Sequence, residues 1–353
     1  MDKKDSVLKL WRECFDDTDQ YVDMFFSEVY RDEDALVLEE EGRIVSSMML
    51  QRYTMNFHGV TSSVSYVCGA ATAKSLRGHG YMRRLMGHAL RESYRRGDIL
   101  CTLIPAGEWL YHYYGHMGFS PVFYMDKERY TSAHKFRSTG VYSRYYDLSG
   151  VEAYGFFNRI MESRPCAVQH TRRQYDEILM DNSADAGAVI ALADSHGSPV
   201  AMAFAVPDAD EVVVKDVLAV DGDSRAAVLA EVLREFAGCP MTVYGYYDAV
   251  RDNDNYVVRG MARVVNVEKC LSVIAGRYTG MKLSIRVNDA EIDENNGVYT
   301  LADGKCMRND EYSGELDYDI DVEVFTSIIF GNDVTRRLLD FPAERPFISL
   351  MLD

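Results

Sequence analysis

Residues Ser75–Met86 read SLRGHGYMRRLM: two glycines one residue apart, followed at once by a helical pattern. Behind Gly80, the residues Met82, Leu85, Met86, Ala89, Leu90 and Tyr94 fall on one face at helical spacing, and Gly97 stops the run. Before the glycines, Val60–Ala71 is rich in Val, Ser, Tyr and Ala and reads as a strand. After the helix, ILCTLIP (99–105) is a continuous apolar run, as a buried parallel strand should be. A short aromatic helix, GEWLYHYYG (107–115), follows. Strand, glycine loop, helix and buried strand make a βαβ unit, whose right-handed crossover lays the helix over the sheet. A helix N-terminus presents free N–H groups and the positive end of its dipole, so this loop invites a phosphate.

Three phosphate loops are possible on that scaffold. A dinucleotide fold needs G-x-G-x-x-G, and position 83 is Arg. A P-loop needs Gly-Lys-Ser/Thr, which is absent from the sequence. An acyl-CoA pyrophosphate loop has the form R/Q-x-x-G-x-G/A, and Arg77-Gly78-His79-Gly80-Tyr81-Met82 can be read as one with Met at the sixth position.

The 353 residues exceed one ordinary core, and 47% hydrophobic with 26% charged residues is a globular composition. No apolar run approaches the ~18 residues of a membrane span, and the opening MDKKDSVLKLWREC lacks a secretory apolar core. A cytoplasmic setting is expected, with no membrane partner. Seven cysteines at wide spacing, without C-x-x-C, argue against a disulfide framework and a zinc knuckle. A net charge of -17 argues against a nucleic-acid partner and would suit a cationic substrate; solubility alone would explain it as well.

Residues 5–30 read as helical with a break near Asp16-Asp17-Thr18-Asp19, followed by strands at 35–39 and 44–54. After about Arg137 the texture changes. VVVKDVLAV (212–220) and the helix 224–236 repeat strand–turn–helix as a faint copy of 66–97. Its loop is Asp221-Gly222-Asp223-Ser224, acidic and short of one glycine, so the copy keeps the scaffold without the cradle. A third region starts near Ala262, with a short helix and a hairpin expected around Asn295-Asn296-Gly297.

On these motifs, Tyr66–Tyr124 resembles the GNAT superfamily of acetyl-CoA-dependent N-acetyltransferases. The whole chain is similar to the enhanced-intracellular-survival (Eis) group within it, although Met82 stands where many relatives have Gly or Ala. The resemblance implies an α/β (α+β) architecture: two tandem GNAT-type mixed-sheet domains, the second degenerate, and a C-terminal domain of the sterol-carrier-protein type. The boundaries expected are 1–132, 133–265 and 266–353. It further implies acetyl-CoA as the acyl donor, with Ala70, Ala71 and Thr72 on the pantetheine arm. Arg77, Gly78, His79, Gly80, Tyr81, Met82 and Arg83 would hold the pyrophosphate. YYGHMGF (113–119) resembles the family's Y-G-x-F-G-Y stretch and places the proton-donor tyrosine at Tyr114. The base implied is the α-carboxylate of Asp353, where relatives commonly end in an aromatic residue. The acceptor would be a primary amine of aminoglycoside, polyamine or protein-lysine type, and the assembly a homo-oligomer, a hexamer in relatives.

Other chemistries compete. Glu108, His112 and His116 stand at i, i+4 and i+8, but Gly115 should end that helix first, so no metal is expected. Cys68 could carry an acyl group, although burial explains it better. Asp16, Asp17, Asp19, Asp23 and Glu28 could line an amine pocket or simply solvate a helix face. A lipid or acyl carrier and an inactive CoA-binding scaffold are the rival functions.

Overall fold

The computed structural model describes residues 2–246, 256–309, 311–330 and 345–352. The chain divides into two compact units. The first comprises Met1–Asp17, Tyr30–Phe123 and Arg259–Pro346; the second comprises Thr18–Val29, Tyr124–Val258 and Phe347–Asp353. The fold is mixed α/β.

In the first unit, helix α1 (Lys3–Cys14) starts on Asp2, whose carboxylate caps Lys3 N, and buries Val7, Leu10 and Trp11. Helix α2 (Asp19–Met24) starts on the Thr18 cap and belongs to the second unit, so the break at 16–19 is where the chain passes between units. Strands β1 (Ala35–Glu40), β2 (Arg43–Phe57) and β3 (Val60–Thr72) form an antiparallel meander. The turn of 3-10 helix and glycines after β3 leads into α3 (Tyr81–Arg96), which buries Leu85, Met86, Ala89, Leu90 and Ser93 and ends on Gly97 at φ 82°. Strand β4 (Leu100–Leu103), fully buried, pairs parallel with β3. Helix α4 (Glu108–Gly115) follows, and then strand β5 (Ser120–Tyr130), along which the chain enters the second unit at Tyr124.

The second unit contains β6 (Ser143–Tyr145), α5 (Val151–Ser163), β7 (Val168–Gln169), α6 (Arg172–Ala184), β8 (Ala188–Ala193), β9 (Pro199–Asp208), β10 (Glu211–Ala219), α7 (Gly222–Glu235) and β11 (Met241–Tyr246). β6, β8, β9 and β10 pair antiparallel in that order. β10 pairs parallel with β11. β10, α7 and β11 thus repeat β3, α3 and β4.

Strand β12 (Tyr256–Val264) returns the chain at Arg259, and Met261–Val264 pairs antiparallel with β4. Helix α8 (Val267–Arg277) then leads to a separate sheet. Its strands β13 (Leu283–Asn288), β14 (Gly297–Ala302), β15 (Lys305–Arg308) and β16 (Tyr318–Asp321) stand in the order β15-β14-β13-β16, and helix α9 (Val322–Phe330) follows. The expected Asn-Asn-Gly hairpin is corrected here. β13 and β14 do pair antiparallel, but Val287 faces Gly297, so residues 289–296 form the connection and Gly297 lies in the strand. The asparagines are taken up by other partners. Asn295 Nδ2 donates to Asp289 Oδ2 at 2.9 Å and its Oδ1 accepts from Val267 N; Asn296 exchanges two 2.8 Å bonds with the Asp289 backbone.

Candidate active site

β3 and β4 part company at a defined place. Their parallel register runs from Val64↔Leu100 to Val67↔Leu103 and stops. β3 continues to Thr72, held along its other edge by β2 (Ala71↔Ser47, Thr72↔Ser46). The bend that frees it is a bulge at Gly69–Ala70, where two residues of β3 oppose Met48 alone. Gly69 has φ 58°, and a Cβ there would lie 2.1 Å from the Trp11 ring. Trp11 is itself fixed by its indole N–H, which donates to Asp17 Oδ2 at 2.7 Å. Beyond Val67, the strand carrying Ala70, Ala71 and Thr72 is therefore open on the side β4 has left. Ala71 is buried, Ala70 and Thr72 half-buried.

At the mouth of this fork stands the glycine loop. Gly78 and Gly80 have φ 82° and 80°, are exposed, and a Cβ on either would meet nothing within 4 Å. Gly80 caps α3 without a side chain, and no acidic residue stands in the first turn. The first N–H groups of α3 have no intrahelical acceptor. Their positive end faces a surface bearing exposed Arg77, His79 and Arg83. Arg77 Nε donates to Thr72 O at 3.2 Å, tying the loop to the open strand. Tyr81 and Met82 are half-buried and pack on the core under α3. A large side chain at position 82 thus points away from the open cradle. The donor set, backbone N–H with arginines, fits the pyrophosphate of acetyl-CoA.

Tyr114 lies on the last turn of α4, 8% exposed, in the core with Leu103, Met86, Met117 and Phe119. Its ring stands 5.9 Å from that of Phe119 and 5.3 Å from that of Tyr113. Burial, and secondarily the neighbouring Tyr113, push its phenol up to about 12. Tyr113 is half-buried and also raised by burial, with Arg83 opposing.

The turn after Tyr114 is held from a residue the sequence did not single out. Arg263, on β12, is 1% exposed. Its Nε donates to Met117 O at 2.9 Å and its Nη2 to Asp289 Oδ1 at 2.5 Å. Gly118 has φ 83°, and a Cβ there would lie 2.7 Å from Arg263 Nε. The available signal was an arginine inside an otherwise apolar strand, GMARVV (260–265).

The remaining candidates stand apart. His112 and His116 are exposed, with Nε2 atoms 3.0 Å apart; Glu108 makes no third ligand with them, and among the described residues no group of three or more His, Cys, Asp or Glu could hold a metal. None of the seven cysteines is in a disulfide, and Cys68 is half-buried opposite Met49. Asp16, Asp17, Asp19, Asp23 and Glu28 are exposed, and Asp17 is taken by Trp11. Asp353 lies outside the described residues. No helix of the described residues is long and apolar enough to cross a membrane.

In the second unit the equivalent loop is closed by carboxylates. Asp221 caps α7 by accepting from Ser224 N at 2.8 Å, in a reciprocal capping box. Asp223 accepts from Thr139 N and Gly140 N at 2.8 and 2.9 Å, and from the hydroxyls of Ser138 and Tyr142. These N–H donors hold the Asp223 carboxyl well below its usual range.

Residues 1–122 match the sequence profile of the acetyltransferase (GNAT) domain. No curated protein matches the chain. Among solved structures, a conserved protein of unknown function from Enterococcus faecalis V583, described as a probable N-acyltransferase, superposes with a TM-score of 0.76 at 14% identity, over 98% of this chain and 96% of its own. A GCN5-related N-acetyltransferase from Kribbella flavida gives 0.74 at 16%, over 99% and 95%. Eis1 from Mycobacterium abscessus gives 0.69 at 13%, over 96% and 90%. At such identity the likeness is one of fold. By its sequence, the segment 1–122 is similar to the GNAT acetyltransferase domain, and with the likeness in fold this supports an acetyltransferase.

Proposed function

We propose that the chain transfers the acetyl group of acetyl-CoA directly to a primary amine, with the donor held by the first copy alone. The observation that carries this reading is the open, uncapped glycine loop at the mouth of the β3–β4 fork, with a buried tyrosine on the following helix. Arg77, Gly78, His79, Gly80, Tyr81, Met82 and Arg83 take the pyrophosphate. Ala70, Ala71 and Thr72 pair with the pantetheine arm as a missing strand would. The amine nitrogen attacks the thioester carbon, the C–S bond breaks, and Tyr114 gives its proton to the departing thiolate. The dry surroundings that raise the phenol raise a thiol placed there too, which narrows the proton-transfer gap. Asp353 takes the proton that the amine loses. The products are the N-acetyl amide and free CoA.

The acceptor is an amine of the aminoglycoside, polyamine or lysine class, consistent with the net charge of -17. The segment 266–353 is kept as a sterol-carrier-type domain beside copies at 1–132 and 133–265. The working form is a homo-oligomer in the cytoplasm.

The test follows thiol release from acetyl-CoA with a panel of amines. Release with one amine class, lost in Tyr114→Phe, supports the reading. No release with any amine, together with no melting shift on adding acetyl-CoA, refutes it.

A further inference from the structure

A chain of hydrogen bonds runs from the backbone of Tyr114 to the β13–β14 connection, all within the first unit. Tyr114 O accepts from Met117 N at 2.9 Å and from Phe119 N at 3.2 Å, which closes the turn after α4. Met117 O in turn accepts from Arg263 Nε at 2.9 Å. The rest of this fully buried guanidinium is also committed. Nη1 donates to Val264 O at 3.2 Å and Nη2 to Asp289 Oδ1 at 2.5 Å. Asp289 is buried and itself fixed. Its Oδ1 accepts from Glu291 N and Ile292 N at 2.9 and 3.1 Å, and its Oδ2 from Asn295 Nδ2 at 2.9 Å.

The same turn is gripped from α9. A Cβ on Gly118 would lie 2.7 Å from Arg263 Nε and 3.2 Å from Cγ1 of Val322, the first residue of that helix. Ser120 Oγ donates to Glu323 O at 2.7 Å and accepts from Ser327 Oγ at 2.9 Å. Thr326 Oγ1 accepts from Val264 N at 3.1 Å, tying α9 to the strand that carries Arg263.

Burying a guanidinium with a carboxylate commonly costs as much as it returns, and apolar residues of like volume would stabilise the strand at least as well. An apolar residue has no donor with which to hold Met117 O. The planar guanidinium aims its donors in fixed directions, at the turn, at its own strand and at the carboxylate. Such aim matters beside a proton donor, because a misplacement of ~1 Å can cost on the order of a hundredfold in rate.

We infer that Arg263 is a positioning residue for acetyl transfer: oriented by Asp289, it holds the Met117–Gly118 turn and, through that turn, Tyr114. This role rests on the reading of Tyr114 as the proton donor.

The experiment uses the full chain with Arg263→Lys, which keeps a cation beside Asp289 but loses the fork that also reaches Met117 O. Should that variant fail to fold, Arg263→Met combined with Asp289→Asn removes both charges and is read in the same way. Amide hydrogen exchange at Met117 and Phe119 reads the turn without any substrate. Thiol release with the preferred amine gives kcat and KM for acetyl-CoA, with and without Tyr114→Phe. Exchange should speed up about tenfold. The kcat should fall about tenfold with KM for acetyl-CoA unchanged. Added to Tyr114→Phe, Arg263→Lys should lower kcat no further, as for two residues that act as one unit. Unchanged exchange, or wild-type kcat in Arg263→Lys while Tyr114→Phe is slow, overturns the positioning role and leaves the proton donor standing. A further tenfold loss on top of Tyr114→Phe also overturns it, because Arg263 then acts on something other than that tyrosine. If Tyr114→Phe is as active as wild type, or no amine is acetylated, the proton-donor reading itself falls and the positioning role falls with it.

Discussion

The two βαβ repeats share a scaffold and differ at the first turn of one helix. In both, a strand runs into a loop and a helix, and a parallel strand follows (β3–α3–β4 and β10–α7–β11). In the first, Gly78 and Gly80 leave the N-terminus of α3 uncapped and open. In the second, Asp221 caps α7 and Asp223 gathers residues 138–142 around it. The same four orphan N–H groups exist in each helix. In the first copy no side chain caps them, whereas in the second Asp221 accepts from one of them, Ser224 N, and Asp223 accepts instead from Thr139 N and Gly140 N.

The substitution that should break this contrast most is Gly80→Asp. It places a carboxylate at the first helix N-terminus, against a backbone at φ 80°. Acetyl-CoA binding, followed by calorimetry, should weaken about a hundredfold, from like-charge repulsion plus about 1–2 kcal/mol of left-handed strain. Asp221→Gly in the second copy should leave that affinity at the wild-type value.

Tyr114→Phe comes next, with kcat lowered about a hundredfold and KM for acetyl-CoA unchanged. Because burial lifts the phenol to about 12, it stays protonated through the assay range. The pH profile of kcat should therefore show no alkaline fall from Tyr114 below about pH 11. A fall near pH 9 that Tyr114→Phe removes would contradict this.

Much of this was legible in the sequence. The run ILCTLIP read as a buried strand and the glycine pair as a loop opening a helix, so the order around Ser75–Met86 followed. The acidic loop at 221–224 was also visible, and with it the lost cradle. What Asp223 binds was not visible, because its partners lie more than eighty positions earlier. Gly69 gave no signal either, since its need for φ 58° and for room beside Trp11 depends on α1. The Asn-Asn-Gly reading failed for a related reason: Asp289 and Val267 claim the asparagine amides first. Local patterns reveal elements, whereas the fixing of a site depends on partners distant in sequence.

Acid should affect only the second loop. The Asp221 and Asp223 carboxyls are lowered in the folded protein. Their contribution to stability is complete above the ordinary value near 3.8 and is lost as pH falls below it, because the unfolded chain then binds protons that the folded one resists. After correction for intrinsic rates, amide exchange at Thr139 and Gly140 should speed up between pH 5 and pH 3, whereas exchange at Tyr81–Arg83 should not. Smallest of all, Asp221→Ala should cost about 1 kcal/mol in urea unfolding, the usual loss for an N-cap.

The most direct measurement is a calorimetric titration of acetyl-CoA into the full chain, repeated with Gly80→Asp and Asp221→Gly. The account predicts one molecule bound per chain, lost in the first variant and kept in the second. Two molecules per chain, or binding that survives Gly80→Asp, would contradict it.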